Sequence, residues 1–367
     1  TVTLLVSCYN EVDVVHEKIA NSLAIDYPKD KFEIIFISDG SDDGTDEAVK
    51  EYEKEGVKLI RQEGRLGKTS AINMAVPYAS GEIIVFSDAN AMYKTGAIKK
   101  LVRNFADTEV GYVVGAAIYT DGGVNAAAAS ENTYWQYEIA LKTMESKLHS
   151  VVGGDGAIYA IRKELYIPLH IKDINDFVNP LQIISQGYRG VFDAEAVCLE
   201  ETAGDFSKEA RRKERIVNRS FRGLMKVKEV LNPFKFGFFS FEVISHKLLR
   251  WLIPIFLLGF AMGSVYLSIE QYPLFKKIVI LEVLFFWLAM VGFFKSHQDN
   301  ISPVFFYPYY FLMVNWYSLI GVLKAIMGDI QVTWSTPREQ SNKHSYSKKT
   351  IFTAISLFFI SVLLLFI

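Results

Sequence analysis

The sequence predicts an α/β protein: a mostly parallel sheet with helices on both faces, followed by an α-helical transmembrane and interfacial region. Three observations predict it. Short β-rich runs alternate with helical stretches through residues 1–205. Clusters of Asn, Asp, Ser and Gly follow the first, second and fourth of those runs directly. Long stretches without charge begin at Trp251 and recur to the end of the chain. Alternation of the first kind is the pattern of parallel strands joined by crossover helices.

The predicted strands cover residues 2–6, 33–37, 57–60 and 82–86, and the predicted helices cover 12–22, 45–55 and 68–79. The first strand starts at once, with no Met and no leader, which is compatible with a processed terminus or a membrane segment upstream. Of 367 residues 50% are hydrophobic, and a single core rarely outgrows about 250–300 residues, so a second region is expected. The division falls into an α/β domain at 1–225 and interfacial and transmembrane helices at 226–367, with a cytoplasmic loop near 328–349. Thirty-nine Lys and Arg against 41 Asp and Glu give a net charge of −2, which argues against a nucleic-acid partner. Cys8 and Cys198 are the only cysteines, too few for a disulfide framework or a zinc site, and they place the chemistry in a reducing compartment.

Residues 251–269 carry no charge and nearly span a bilayer core of about 30 Å at a rise of about 1.5 Å per residue. Residues 278–294 carry only Glu282, and residues 350–367 are uncharged again. Residues 303–323 are also uncharged, but Pro303, Pro308 and Asn315 interrupt them and aromatics crowd them, as at headgroup level. Basic residues cluster before the first run, from Arg211 to Lys228, and after the 303–323 run, from Lys324 to Lys349. Positive charge favours the cytoplasm for both, which requires the 303–323 run to lie in the interface or re-enter.

In an open α/β sheet the ligand sits off the carboxyl ends of the strands. There the sequence places Ser7-Cys8-Tyr9-Asn10-Glu11, then Ser38-Asp39-Gly40-Ser41-Asp42-Asp43-Gly44-Thr45, then Ser87-Asp88-Ala89-Asn90. Taken singly, each is also what a helix cap or a turn uses. Gly64-Arg65-Leu66-Gly67-Lys68-Thr69-Ser70 resembles an ATP-binding phosphate loop, but Gln62 stands where that motif needs its first Gly. Lys68, opening a helix beside two glycines, still suits a diphosphate. Asp88 and Asn90 offer two oxygen side chains that a hard cation, Mg²⁺ or Mn²⁺, shares with phosphate oxygens.

Four blocks together carry a family resemblance: Tyr9-Asn10-Glu11, the Ser38 to Thr45 loop, Gly67-Lys68 with Asn73, and Ser87-Asp88-Ala89-Asn90. It continues through Gly153-Gly154-Asp155-Gly156, Tyr159 and Arg162, then Asn175-Asp176-Phe177, then an Arg-rich helix. The chain resembles the inverting family 2 glycosyltransferases with the GT-A fold, and within them the membrane-bound branch of hyaluronan, chitin, cellulose and poly-N-acetylglucosamine synthases. The resemblance implies transfer of a sugar from a UDP-sugar to a growing polysaccharide or glycan. It makes Asp39 the uracil-binding carboxylate, with Tyr9 and Glu11 beside the base, Lys68 near the diphosphate and Asp88 at the metal. Asn90 stands where the family usually has a second Asp.

The same resemblance makes Asp176 the general base that takes the acceptor hydroxyl proton. The family's Gln-x-x-Arg-Trp motif has its best match in Arg212-Lys213-Glu214-Arg215-Ile216, so Arg212 and Arg215 are expected at the diphosphate, with Arg219 and Arg222 as the fallback on one helix stripe. Gly154, Asp155 and Gly156 fall on the acceptor side. Trp135 is a candidate for stacking on acceptor sugars, with ordinary helix packing as the alternative. Trp334-Ser335-Thr336-Pro337-Arg338 resembles the cytoplasmic gating loop of the synthases, with Trp334, Thr336 and Arg338 facing the donor. An integral protein of the plasma or inner membrane with a cytoplasmic catalytic domain follows, its partners being the donor, a glycan or lipid-linked acceptor and the bilayer. The alternatives are a non-processive transferase with a lipid-linked acceptor and a catalytically degenerate membrane scaffold.

Overall fold

The computed structural model describes residues 1–120, 126–201, 206–296 and 302–329. The first half builds β1 (Val2–Cys8), α1 (Val12–Leu23), β2 (Phe32–Ser38), α2 (Thr45–Lys50), β3 (Val57–Arg61), α3 (Lys68–Ala75) and β4 (Ile83–Asp88). These are the expected elements, with α1 one residue longer than expected and α2 and α3 shortened at their C-terminal ends. α2 gives way to a separate 3₁₀ turn at Glu53–Glu55, and α3 passes into one at Val76–Tyr78, where Pro77 has no N–H to continue the ladder.

The chain continues through β5 (Met92–Tyr93), α4 (Ala97–Arg103), β6 (Val110–Tyr119), α5 (Ala126–Leu148), β7 (Tyr159–Arg162), α6 (Asn175–Ser185) and β8 (Arg189–Glu200). The eight strands form one sheet in the order β3-β2-β1-β4-β7-β6-β8-β5. β1 pairs in parallel with β2 and β4, β2 with β3, and β6 with β8. β7 runs antiparallel between β4 and β6, and β5 antiparallel to β8. The sheet is therefore mixed, its parallel half lying where the alternating pattern was read. β1 is buried along its whole length, as a strand covered on both faces must be. Alternate residues feed two cores: Leu5, Ile35 and Phe86 on one face, Leu4, Phe36 and Val85 on the other. The winding goes outward from β1 to β3 and returns to β4 on β1's other side, so a crevice opens at the carboxyl ends of β1 and β4.

The second half builds α7 (Phe206–Lys226), α8 (Pro233–Phe236), α9 (Phe238–Val243), a π-helical turn (Ile244–Leu249), α10 (Ile253–Ile269), α11 (Pro273–Lys295) and α12 (Pro303–Met327). Among the described residues α11 and α12 are each long and apolar enough to cross a membrane; Phe238–Leu249 and α10 form a pair bent by 69°, a third span if the pair counts as one. Contrary to the expected interruption, α12 is unbroken for 25 residues. Pro303 begins it, where an N–H has no helical partner to lose, and Pro308 removes a single bond. α12 lies along α7. Asn218 donates to the carbonyls of Gly321 (3.3 Å) and Asp329 (2.8 Å), and Lys324 pairs with Glu214. A Cβ at Gly321 would meet the Glu214 carbonyl at 2.6 Å, so the absence of a side chain lets the helices touch.

Candidate active site

The loops after β1 and β2 are laced together by the polar residues that mark them in the sequence. Asn10, in the left-handed region at φ 53°, donates from its main chain to Ser41 Oγ (3.1 Å) and from its side chain to Asp42 (2.8 Å). The Glu11 amide donates to Thr45 Oγ1 (2.9 Å) and the Val12 amide to Asp43 (3.1 Å). Asp39 is buried. Its carboxylate accepts from the amides of Leu66 and Gly67 (3.0 Å each) and from the Gln62 side chain. Burial raises its pKa, and those donors pull it back. Gly40 is required here: at φ 73°, a Cβ would sit 2.8 Å from the main chain of Gly64. Asp39 thus clamps the loop that delivers Lys68. On the same edge the Arg65 guanidinium lies 3.8 Å from the centre of the Tyr9 ring. Arg65 was missed in the sequence, although it stands inside a block already singled out there.

The second group gathers around Gly156. A methyl carbon built there would lie 3.1 Å from Asp176 Oδ2, 3.3 Å from Lys68 Nζ and 3.4 Å from Asp88 Oδ2. Lys68, at the start of α3, forms an ion pair with Asp88 at the end of β4. Asp176 stands in the first turn of α6. Burial raises its pKa, with Asp155 and Asp88 pushing the same way and Lys68 and Arg219 opposing. Its carbonyl accepts from the Gly154 amide, and a side chain at Gly154 would strike that carbonyl at 2.8 Å. Asn175 and Asn179 donate to the Tyr159 hydroxyl (2.9 and 3.3 Å), and Tyr159 stacks on Phe86 at 4.6 Å, which fixes α6 to β4. Asp155 pairs with Lys142 at 3.4 Å. Glu200, half-buried at the end of β8, is pushed up to about 8 by burial and then by Asp155 and Asp88; it too was missed.

Asn90 is half-buried two residues from Asp88. Among the described residues no group of three or more His, Cys, Asp or Glu is arranged to hold a metal. One carboxylate and one amide oxygen nonetheless fit a hard divalent ion that takes its remaining ligands from phosphates and water. Beneath this turn lies Lys18, fully buried, which the sequence reading passed over. Burial pulls its pKa from the usual lysine range to about 8, against the pull of acids such as Asp88 and Glu200.

The expected arginine stripe divides. Arg215 is half-buried and has no ion pair among the described residues; burial first, then Arg219 and Arg212, lower its pKa to about 10, while Asp176 and Asp88 act in the other direction. Arg219 is spent on structure, donating to Thr69 Oγ1 (3.1 Å) and to the carbonyls of Ile171, Lys172 and Asp173. Arg222 and Lys226 both pair with Asp173. The fallback arginines therefore fasten the 171–173 loop. Arg212 lies 3.5 Å from Glu209 within its own helix. Trp135 is half-buried, its indole N–H donating to the Ala117 carbonyl and its ring facing Tyr119 at 5.7 Å. Trp334, Thr336 and Arg338 lie outside the described residues.

Residues 3–168 match the model of glycosyl transferase family 2. That match takes in less than half of the chain and makes this part similar to the domain of that family. The chain shares its fold with the solved mannosyltransferase PcManGT from Pyrobaculum calidifontis, in complex with GDP-Man and Mn²⁺, at a TM-score of 0.65 and 22% identity over 89% of this chain and 87% of that one. Poly-beta-1,6-N-acetyl-D-glucosamine synthase of Staphylococcus aureus (strain MSSA476) is 25% identical over 270 residues, 70% of this chain and 64% of the synthase. The synthase of the same name from Staphylococcus epidermidis is 32% identical over 116 residues, 31% and 28% of the two chains. The chain thus spans less than two thirds of the length of these relatives.

Proposed function

We propose that this chain is a glycosyltransferase that takes a sugar from a UDP-sugar on the cytoplasmic side of a membrane and adds it, with inversion, to a growing polysaccharide or glycan. The observation that carries the reading is the meeting of Asp176, Lys68 and Asp88 within 3.4 Å of one point at Gly156. Inversion needs a carboxylate on the acceptor side and cations on the leaving-group side of a single anomeric carbon. Asp176 takes the proton as the acceptor oxygen bonds to that carbon. The bond to the diphosphate breaks, and UDP leaves with the electron pair. Lys68 and Arg215 neutralise the charge that gathers on it. Asp88 and Asn90 are the residues that would hold Mg²⁺ or Mn²⁺, an ion that supplies further neutralisation at the diphosphate. Tyr9, Glu11, Arg65 and the loop clamped by Asp39 form the base side. The apolar α11 and α12, with the basic residues that flank the apolar runs, support a plasma- or inner-membrane protein with its catalytic domain inside.

The named relatives make UDP-N-acetylglucosamine the first donor to test, by UDP release in a membrane or detergent preparation with and without Mn²⁺. Asp176→Asn is expected to leave UDP binding nearly intact and to cut turnover by about 10² or more. Lost UDP affinity with normal turnover would remove Asp176 from the role. A second reading, one sugar added to a lipid-linked acceptor, is favoured by Ile216, which stands where the synthases carry Trp. Mass analysis of the product separates the two: a single added residue excludes polymerisation.

A further inference from the structure

The ammonium of Lys18 is fully buried on the sheet-facing side of α1, in a row with the buried Val15, Ile19 and Ser22. An apolar side chain would pack in that row without giving up the hydration of a charge. What the charge does there is visible in its contacts. Lys18 Nζ donates to Ser87 Oγ at 2.9 Å and to the carbonyl of Ala91, and it lies 4.3 Å from the centre of the Tyr93 ring. Ser87 and Ala91 are the two residues that bracket Asp88, Ala89 and Asn90. One ammonium therefore ties both ends of the turn that presents the two oxygen side chains.

The surrounding bonds extend the same grip. Asn21, one turn further along α1, exchanges hydrogen bonds of 2.8 Å with both main-chain groups of Tyr93. The Tyr93 hydroxyl lies within hydrogen-bond distance of the carbonyls of Phe86 (3.1 Å) and Ala157 (3.0 Å), next to Gly156. Within the turn, Ala89 is buried and the Ala91 amide returns to the Asp88 carbonyl at 3.3 Å. Helix α1 thus holds the 87–93 segment from below, and the side chains of Asp88 and Asn90 remain for the site above.

We propose that Lys18 is a positioning residue that sets the Asp88–Asn90 turn for a divalent cation and the donor diphosphate. It rests on the cation role proposed above for Asp88 and Asn90. Lys18 touches neither cation nor donor; it acts through Ser87 and Ala91. Without it the Ser87 hydroxyl and the Ala91 carbonyl lose their shared donor, and the turn is free to relax away from the geometry that two ligands at i and i+2 require.

The test is Mn²⁺ binding in the presence of UDP, followed by electron paramagnetic resonance on the whole purified chain, beside UDP release as a function of Mn²⁺. Lys18→Met is expected to raise the Mn²⁺ needed for half-saturation by about tenfold, the scale of one or two lost hydrogen bonds. Ser87→Ala, which keeps the charge and removes one of the two anchors, is expected to raise it by a smaller factor. UDP binding measured in chelator is expected to stay unchanged in both. A Lys18→Met protein that melts normally and binds Mn²⁺ as well as the parent, or more tightly, overturns the proposal. Tighter binding is the result expected if Lys18 acted only as a repelling charge. A lower melting temperature with unchanged Mn²⁺ half-saturation also overturns it, because that is a purely structural role. Asp88→Ala serves as the reference. If the parent binds no Mn²⁺ with UDP, the cation site itself fails, and this inference with it. If the parent binds and Asp88→Ala does not, an unchanged Lys18→Met removes this inference alone.

Discussion

Lys68 is ion-paired with Asp88, so a cation at the start of α3 neutralises an acid at the end of β4 beside the carboxylate of Asp176. The pair places one positive and two negative groups around a space that a methyl group would fill. The balance of that space controls when Asp176 is ionised.

A base must be ionised to accept a proton, so with Asp176 in the proposed role turnover is expected to rise as pH climbs through its folded-state pKa. Burial, Asp155 and Asp88 raise that pKa, while Lys68 lowers it. Asp155→Asn is expected to move the acid limb of the kcat profile to lower pH, and Lys68→Met to move it to higher pH. Profiles of kcat against pH at saturating donor check both directions. Two limbs that stay with the parent would show that Asp176 does not set the limb.

Gly156→Ala tests the shared space directly. Gly156 does not adopt the left-handed backbone, so the cost of the methyl falls on the ends of Asp176, Lys68 and Asp88. The variant is expected to melt close to the parent and to lose turnover by about tenfold or more, as misplaced reacting groups do. Thermal melting and UDP release on the same preparation read the two effects.

Arg215 and Arg219 are expected to separate binding from stability. Arg219→Ala leaves the carbonyls of the 171–173 loop and Thr69 without their donor and should cost about 1–3 kcal/mol of stability in urea denaturation. Arg215→Ala removes a half-buried guanidinium with no ion pair among the described residues. It should leave stability nearly unchanged and weaken UDP binding by about tenfold or more, the scale of a charge-assisted hydrogen bond of about 1.5–3 kcal/mol.

Asp39→Ala removes the acceptor of two main-chain amides. The loop before Lys68 should loosen, with about 1–3 kcal/mol lost in denaturation for a buried donor left unmet. UDP affinity, measured calorimetrically, should fall before turnover at saturating donor does.

The parallel half of the fold and the edge that carries its polar clusters were legible in the sequence, because both depend on neighbours along the chain. Alternation of β-rich and helical runs marks β1 to β4, and polar clusters after a strand mark the carboxyl edge wherever the strand ends. The resemblance named Lys68, Asp88 and Asp176, and these three converge. Periodicity was unable to separate Arg215 from Arg219, which are one helical turn apart on the same side. Docking of residues 171–173 against Arg219 decides between them.

Likewise, the composition of 303–323 reads as a broken interfacial segment, whereas packing along α7 and α11 accompanies an unbroken helix. Asp39 reads as a ligand residue, and only the approach of residues 62–67 shows where its hydrogen bonds go. Lys18 reads as one more lysine in a helix, yet Ser87 and Ala91, about seventy positions away, make it the support of a turn. Residue chemistry and local period determine which groups a strand edge offers. Long-range packing determines which of those groups are already satisfied by the protein and which remain to meet a substrate.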